Sequence, residues 1–390
     1  MLRAAPSPLS FYLFHGDKKS MRVALISEFY YPHLGGVTEH VHHLARELRR
    51  LGHQAYIITS RMDKKTNDEP FVIRLGRSQL FFSNGSFCRF TIGRNLFSEL
   101  KSILQQERIE LVHLHSALTP TLGIIGLEAA KRLDLPVVAT FHSWFPKHPF
   151  FQIFQKPLQK QMDYIRVKIA VSQPVVEAHS RYFKVEWKII PNGVDLEYFQ
   201  PNGYRSFEEL GIGPRLLFLG RLDPRNGLST IIQAMAGINK QFSEAKLIVA
   251  GDGPLRRFYE RRVKKLHLEG KVLFLGQVKD ERPELYSSSD LYLCPTTRAS
   301  FGITLLEAMA CGTPLVISDI IGFRELIDGG QEARLVPPRD VQAWARTITE
   351  LLNNREKREQ MRLAGLLKVR QFSWPKIVEQ VVEVYERAIS

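Results

Sequence analysis

Cysteine is scarce in this chain: Cys88, Cys294 and Cys311 are the only three in 390 residues, far apart and at no spacing that frames a disulfide or a zinc site. That scarcity excludes a disulfide-stapled secreted fold and points to a reducing compartment. Long apolar runs are missing too, and none approaches the ~18 residues of a membrane-spanning helix. The apolar stretch at residues 9–14 is too short for a secretory signal and runs into Asp17, not a small-residue cleavage site. No internal repeat or low-complexity tract appears. Acidic residues are outnumbered, 40 Asp and Glu against 54 Lys and Arg, for a formal charge of +14. That excess points to an anionic partner: a membrane surface, a phosphorylated ligand or nucleic acid.

What is present is alternation. Short apolar strands read at 22–26, 55–59, 71–75, 111–115, 137–140, 169–172 and 187–190, then at 215–220, 246–250, 272–275, 291–294 and 315–317. Helical periodicity reads at 39–51, 303–310, 341–352, 355–370 and 374–388. The pattern predicts an α/β fold with two parallel, doubly wound sheets, and 390 residues suit two domains. Pro191-Asn192-Gly193, followed by Pro201-Asn202-Gly203, breaks regular structure and sets the expected boundary. The expected units are a patternless, loosely ordered extension at 1–20, a first domain at 21–195 and a second at 196–373.

Two stretches have the makings of anion sites. A small polar loop with Ser300 and Gly302 opens the helix 303–310, Gly312 ends it, and Pro314 starts the next strand. First-turn amides lack intrahelical partners, peptide dipoles add positive charge, and a neighbouring glycine lets a phosphate approach. Glu307, one turn on, suits a ribose hydroxyl pair; the plainer reading is a well-capped helix with one buried glutamate. Gly35-Gly36, between a strand and a helix, repeats the arrangement, although a glycine pair by itself is more often a simple turn.

Other residues divide between chemistry and packing. His113 and His115 alternate on a strand and share a face, but no third ligand stands at a sensible spacing, which argues against a metal site. His142 directly follows a strand, where ligands of parallel sheets bind, or else caps a helix or sits satisfied in the core. Residues 81–97 gather Phe81, Phe82, Phe87, Arg89, Phe90, Arg94 and Phe97, a bilayer-contacting surface if exposed and core if not. The cluster Arg256, Arg257, Arg261, Arg262, Lys264 and Lys265 reads as a solvated helix face. Aromatics interleaved with bases occur only at 81–97, so no nucleic-acid partner is expected.

The run Ser300-Phe301-Gly302-Ile303-Thr304-Leu305-Leu306-Glu307-Ala308-Met309-Ala310-Cys311-Gly312-Thr313-Pro314 resembles the donor-binding signature of glycosyltransferase family 4, the retaining GT-B sugar transferases. Tyr31-Pro32 with Gly35-Gly36-Val37, Thr140-Phe141-His142, Pro191-Asn192-Gly193-Val194-Asp195 and Gly220-Arg221-Leu222 resemble it as well. The resemblance implies a GT-B fold: two Rossmann-like domains facing a central cleft, acceptor first and donor second, with the helix 374–390 crossing back onto the first. It implies a nucleotide-sugar substrate with no cofactor and no metal, and this chain has no Asp-x-Asp motif. His142 and Arg221 would be catalytic. Gly35, Gly36, Arg225, Asn226, Ser300, Phe301, Gly302, Ile303, Thr304 and Glu307 would hold the donor, Gly36 against its diphosphate and Glu307 on its ribose.

Two positions depart from the family. Its first glutamate belongs at 299, where this chain has Ala299, and its lysine belongs at Asn226. Exchanging a charge-assisted contact for a neutral one costs about 1.5–3 kcal/mol of binding. A weakly active or inactive nucleotide-binding scaffold is therefore an alternative. Asn84-Gly85-Ser86, Phe274-Leu275-Gly276-Gln277-Val278 and Arg334-Leu335-Val336-Pro337 are similar to bacterial phosphatidylinositol mannosyltransferases. That similarity implies mannose moved from GDP-mannose to a lipid or glycolipid acceptor such as phosphatidylinositol. The protein would be cytoplasmic and peripheral on the anionic inner face of the plasma membrane. No residue separates guanine from uracil, so a UDP-sugar transferase acting on another glycolipid or a soluble acceptor stays open.

Overall fold

The computed structural model describes residues 20–33, 35–62, 68–83, 86–115, 118, 121–201, 213–327 and 330–390. The extension expected at 1–20 lies outside these except for Ser20, as do Leu34, Asn84-Gly85 and Asn202-Gly203. The side chains of 80–83 and 86–88, including Phe81, Phe82 and Phe87, are also outside the described part.

The N-terminal lobe is built on β1 (Arg22–Ser27), β2 (Gln54–Ser60), β3 (Val72–Leu75), β4 (Arg77–Ser83), β5 (Ser86–Ile92), β6 (Leu111–His115), β7 (Val137–Phe141), β8 (Val167–Ala170) and β9 (Lys188–Ile189). Its helices are α1 (Gly36–Arg50), α2 (Leu96–Gln106), α3 (Leu122–Arg132), α4 (Pro149–Ile153), α5 (Gln155–Tyr164) and α6 (Gln173–Ser180). Seven strands form one parallel sheet in the order β3-β2-β1-β6-β7-β8-β9. Every residue of β6 and β7 is buried, the signature of strands covered on both faces.

The second lobe carries β10 (Arg215–Leu219), α7 (Leu228–Ile238), β11 (Lys246–Ala250), α8 (Arg256–Lys265), β12 (Val272–Gly276), α9 (Arg282–Ser287), β13 (Leu291–Cys294), α10 (Ile303–Ala310), β14 (Leu315–Ser318), α11 (Ile321–Arg324), β15 (Ala333–Val336), α12 (Val341–Asn353) and α13 (Arg355–Val369). Its parallel sheet has the order β12-β11-β10-β13-β14-β15. Both sheets reverse winding beside their first strand, between β1 and β6 and between β10 and β13. Such switch points open a crevice at the strands' carboxyl ends. The two Rossmann-like sheets make the GT-B architecture.

The last helix, α14 (Trp374–Ile389), leaves the second lobe and packs on the first. Ile377, Val378, Val381 and Tyr385 join Val41, Leu44 and Leu48 of α1 in one buried cluster with β1. Two crossings run side by side: Val194 N donates to Phe372 O at 2.8 Å, and a side chain on Gly193 would strike the Trp374 ring at 2.5 Å.

Some elements differ from the pattern-based reading. Residues 77–92 pair as an antiparallel hairpin, β4 with β5, outside the main sheet. β15 is an edge strand whose middle residues, Arg334 and Leu335, are exposed, so it lacks an apolar run. β8 starts earlier than expected, at Val167, because half-buried Lys168 lies within it.

Candidate active site

Loops at the carboxyl ends of four strands supply the site. After β1 the chain reaches Gly35 and Gly36, and the first helical bond of α1 runs from Glu39 N to Gly35 O at 3.1 Å. The amides of Gly36, Val37 and Thr38 therefore precede any intrahelical partner. A Cβ on Gly36 would stand 3.1 Å from Ile303 Cδ1, so the first residue of α1 lies against the first residue of α10. Gly302 caps α10 at φ +104, and a Cβ there would meet Phe323 Cε1 at 2.8 Å. Only glycine takes that left-handed backbone without strain. Two positive helix ends are thus brought together across the lobes, where a di-anion gains from both.

Arg221 follows β10 and is half-buried. Burial, then the charges of Arg89 and Arg221, pull the His33 imidazole down to about 4. His33 Nε2 lies 3.7 Å from the place of a Gly35 Cβ, which puts Arg221 in electrostatic reach of the start of α1. Asn226 is used internally: its Nδ2 donates to Arg221 O at 2.8 Å and its Oδ1 accepts from Thr296 Oγ1 at 3.4 Å. The residue at the family's lysine position braces the loop that carries Arg221. Arg225 is exposed, with its carbonyl accepting from Thr297 N at 2.9 Å.

Ser300 clasps the lobes together. Its Oγ accepts from Trp144 N at 2.8 Å, and its carbonyl accepts from Ser172 Oγ at 2.6 Å. Phe301 is buried with Phe372 as its ring neighbour, whereas Gly302, Ile303 and Thr304 are half-exposed at the cleft. Ala299 packs on the core beside Gly322. Glu307 is 3% exposed, and both of its oxygens are engaged: Arg282 Nη1 donates to Oε1 at 2.7 Å and Tyr286 Oη to Oε2 at 2.9 Å. Burial raises the Glu307 pKa, against the opposing pull of Arg282 and the Tyr286 hydroxyl. Arg282 also lies 3.6 Å from Glu39 of α1 and over the Phe199 ring, joining both lobes and the crossing segment. Nothing in the sequence marks Arg282; its importance comes from what folding places around it.

The histidines show the same limit. His113 and His115 share a face as their spacing requires, but only one of them meets the cleft cluster. His113 Nδ1 pairs with Tyr385 Oη at 2.6 Å and its Nε2 with Thr140 Oγ1 at 2.7 Å, tying β6 to α14. His115 Nδ1 lies 3.1 Å from His142 Nε2, and His40 of α1 completes a set whose ligand atoms fall within 4.8 Å of one another. The third ligand missing from local spacing is thus supplied by other elements. His40 Nδ1 pairs with Asn192 Oδ1 at 2.9 Å, leaving a lone pair on Nε2. Among the described residues, His40 Nε2 and His115 Nε2 are buried without a hydrogen-bond partner. Burial lowers His40 to about 4, and holds His115 and His142 well below the ordinary histidine value, so all three rings are neutral at pH 7. Three neutral imidazoles could ligate a late first-row cation, and equally they line an uncharged wall beside the two helix ends.

The family described as "Glycosyltransferase Family 4" matches residues 34–198, and "Glycosyl transferases group 1" matches 206–367. A phosphatidyl-myo-inositol mannosyltransferase of Mycobacterium leprae is 32% identical over 94% of this chain and 96% of its own length. An alpha-monoglucosyldiacylglycerol synthase of Streptococcus pneumoniae is 27% identical over 76% of this chain and 70% of its own. Among solved structures, HepE of Anabaena in complex with UDP-glucose superposes with TM-score 0.77 at 19% identity, covering 94% of this chain and 100% of that one. Taken with the paired Rossmann-like lobes, these matches establish that the chain belongs to glycosyltransferase family 4 and is a GT-B glycosyltransferase.

Proposed function

We propose that the protein moves a hexose, with retention of configuration, from a nucleotide-sugar to a lipid acceptor, mannose from GDP-mannose to a phosphatidylinositol-type lipid being the leading case. The observation that carries this is the meeting of Gly36 and Ile303, which brings two helix N-termini against each other across the lobes. In this reading the amides of Gly36 to Thr38 and of Ile303 and Thr304 hold the diphosphate, and Arg221 neutralises it as the sugar–phosphate bond breaks. Positive charge grows on the departing sugar while the neutral His142 ring stands beside it. The leaving phosphate takes the acceptor hydroxyl's proton. No step runs through a divalent cation. Glu307 takes the ribose hydroxyls through the acceptor lone pairs that Arg282 and Tyr286 leave unused. The lipid acceptor rests on the relatives' printed activities and on the net charge of +14, which favours the anionic cytoplasmic face of the plasma membrane. Among the described residues no helix is long and apolar enough to cross a membrane, which leaves peripheral attachment as the proposed mode.

A second reading, a nucleotide-binding scaffold without turnover, is favoured by Ala299 and by the inward-turned Asn226. Incubation with GDP-mannose or UDP-glucose, with and without vesicles containing phosphatidylinositol, separates the two. Sugar transferred to lipid supports the first reading; nucleotide binding without release supports the second. Transfer from UDP-glucose alone would correct the donor.

A further inference from the structure

The segment between His142 and α6 carries a surface that the transfer chemistry leaves unused. From residue 135 to residue 162 there is no aspartate or glutamate, while Lys147, Lys156 and Lys160 are all exposed. On the same stretch Phe150, Ile153 and Phe154 turn outward, at 38%, 74% and 46% exposure, with the two phenylalanine rings 4.9 Å apart. Three large apolar side chains held together in water mark an interaction site.

The knuckle has a firm base. Phe151 stacks on Phe145 at 4.6 Å and lies 5.4 Å from the Tyr182 ring, and Leu158 is buried beneath. His148 Nδ1 accepts from Phe150 N at 3.2 Å, and Gln155 Nε2 donates to Tyr182 O at 2.7 Å. Upstream, the same chain passes Trp144, whose amide donates to Ser300, and reaches His142. The knuckle therefore leads into the mouth of the cleft.

We propose that Phe150, Ile153 and Phe154, flanked by Lys147, Lys156 and Lys160, dock the N-terminal lobe on an anionic lipid surface. The apolar side chains enter the boundary between headgroups and acyl chains, and the lysines meet the headgroups. A second copy of this chain would set the same lysines against themselves, and a protein partner gives no reason for so long an acid-free run. The other basic surface, α8, differs: Arg256 is paired with Glu260 at 2.9 Å, and Phe258 is its single large exposed apolar residue. The docking surface rests on the lipid-acceptor reading only for its purpose, since binding is measured without donor or acceptor.

Co-sedimentation of the full chain with vesicles is the test. Binding to phosphatidylglycerol–phosphatidylcholine vesicles is expected, falling with salt and weak on phosphatidylcholine alone. The combined Phe150→Ser, Ile153→Ser and Phe154→Ser variant should bind about a hundredfold more weakly. Lys147→Gln, Lys156→Gln and Lys160→Gln should each weaken binding about fivefold and flatten the salt dependence. Arg257→Gln with Arg261→Gln on α8 should bind as the parent does. A separate readout uses Ile153→Trp, whose fluorescence brominated acyl chains should quench beyond that of the parent. Unchanged binding by the serine variant, absence of that quenching, or a concentration-dependent dimer that the serine variant abolishes would each overturn the proposal. Vesicle binding, with no sugar transferred when donor and phosphatidylinositol-containing vesicles are supplied, would instead sink the lipid-acceptor reading and leave the docking surface standing.

Discussion

Arg221 is the cation assigned to the diphosphate, and its removal should act on the donor more than on the fold. Arg221→Ala is expected to weaken nucleotide-sugar binding by about 1.5–3 kcal/mol, roughly tenfold to a hundredfold, with the melting temperature nearly unchanged. Calorimetry with GDP-mannose and UDP-glucose checks it, and unaltered affinity would remove Arg221 from the site. Glu307 predicts the opposite balance. Truncating it leaves half-buried Arg282 with the Lys279 carbonyl at 3.1 Å and the more distant Glu39 at 3.6 Å, so Glu307→Ala should cost stability on the order of 2 kcal/mol by urea unfolding. The histidines fix a pH dependence. Burial lowers His40 and His179 from 6.5 to about 4. The unfolded chain takes up those protons near pH 6.5 and the folded chain does not, so stability is full above that pH and is lost as the pH falls toward 4. Each histidine contributes a slope of about 1.4 kcal/mol per pH unit in that window. Denaturation midpoints that stay flat between pH 7 and pH 5 would contradict this assignment.

At the level of elements, the contact between the starts of α1 and α10 is the sensitive point. Gly36→Val would press a branched side chain toward Ile303, already 3.1 Å from a bare Cβ, and hold the helix ends apart. About a tenfold loss of donor affinity is expected, with α1 still folded on its Val41, Leu44 and Leu48 face; parent-like affinity would argue against the pocket. The same elements show how far the sequence is readable. Helix 303–310 and its glycine caps are local features, so Gly302, the helix bounds and the anion-friendly start of α10 are visible without coordinates. The β4–β5 hairpin is hidden, since 81–97 displays aromatic and basic composition more strongly than alternation. Edge strand β15, with Arg334 and Leu335 exposed, offers no apolar run to detect. Within the site, Gly36 and His142 follow strands and are legible from position. Arg282 and His40 are not, because an ion pair to Glu307 and a ring set with His115 and His142 join residues far apart in sequence. Asn226 is legible as a departure, but only packing shows that its amide holds the Arg221 carbonyl.

Across the whole molecule, polar contacts join the lobes beside a buried apolar cluster that draws on both. Ser300 binds Trp144 and Ser172, the Glu325 carboxylate accepts from Gln173 N at 2.9 Å, and Arg282 reaches Glu39. Contacts of this kind can be exchanged for a ligand's, which suits a cleft that opens to admit a donor and closes on it. A crystal structure of the full chain with bound nucleotide-sugar tests this most directly. The diphosphate is expected at the meeting of Gly36 and Ile303, in contact with their helix-end amides and the Arg221 guanidinium. A donor seated elsewhere, or a diphosphate whose charge is carried by a divalent cation, would contradict it.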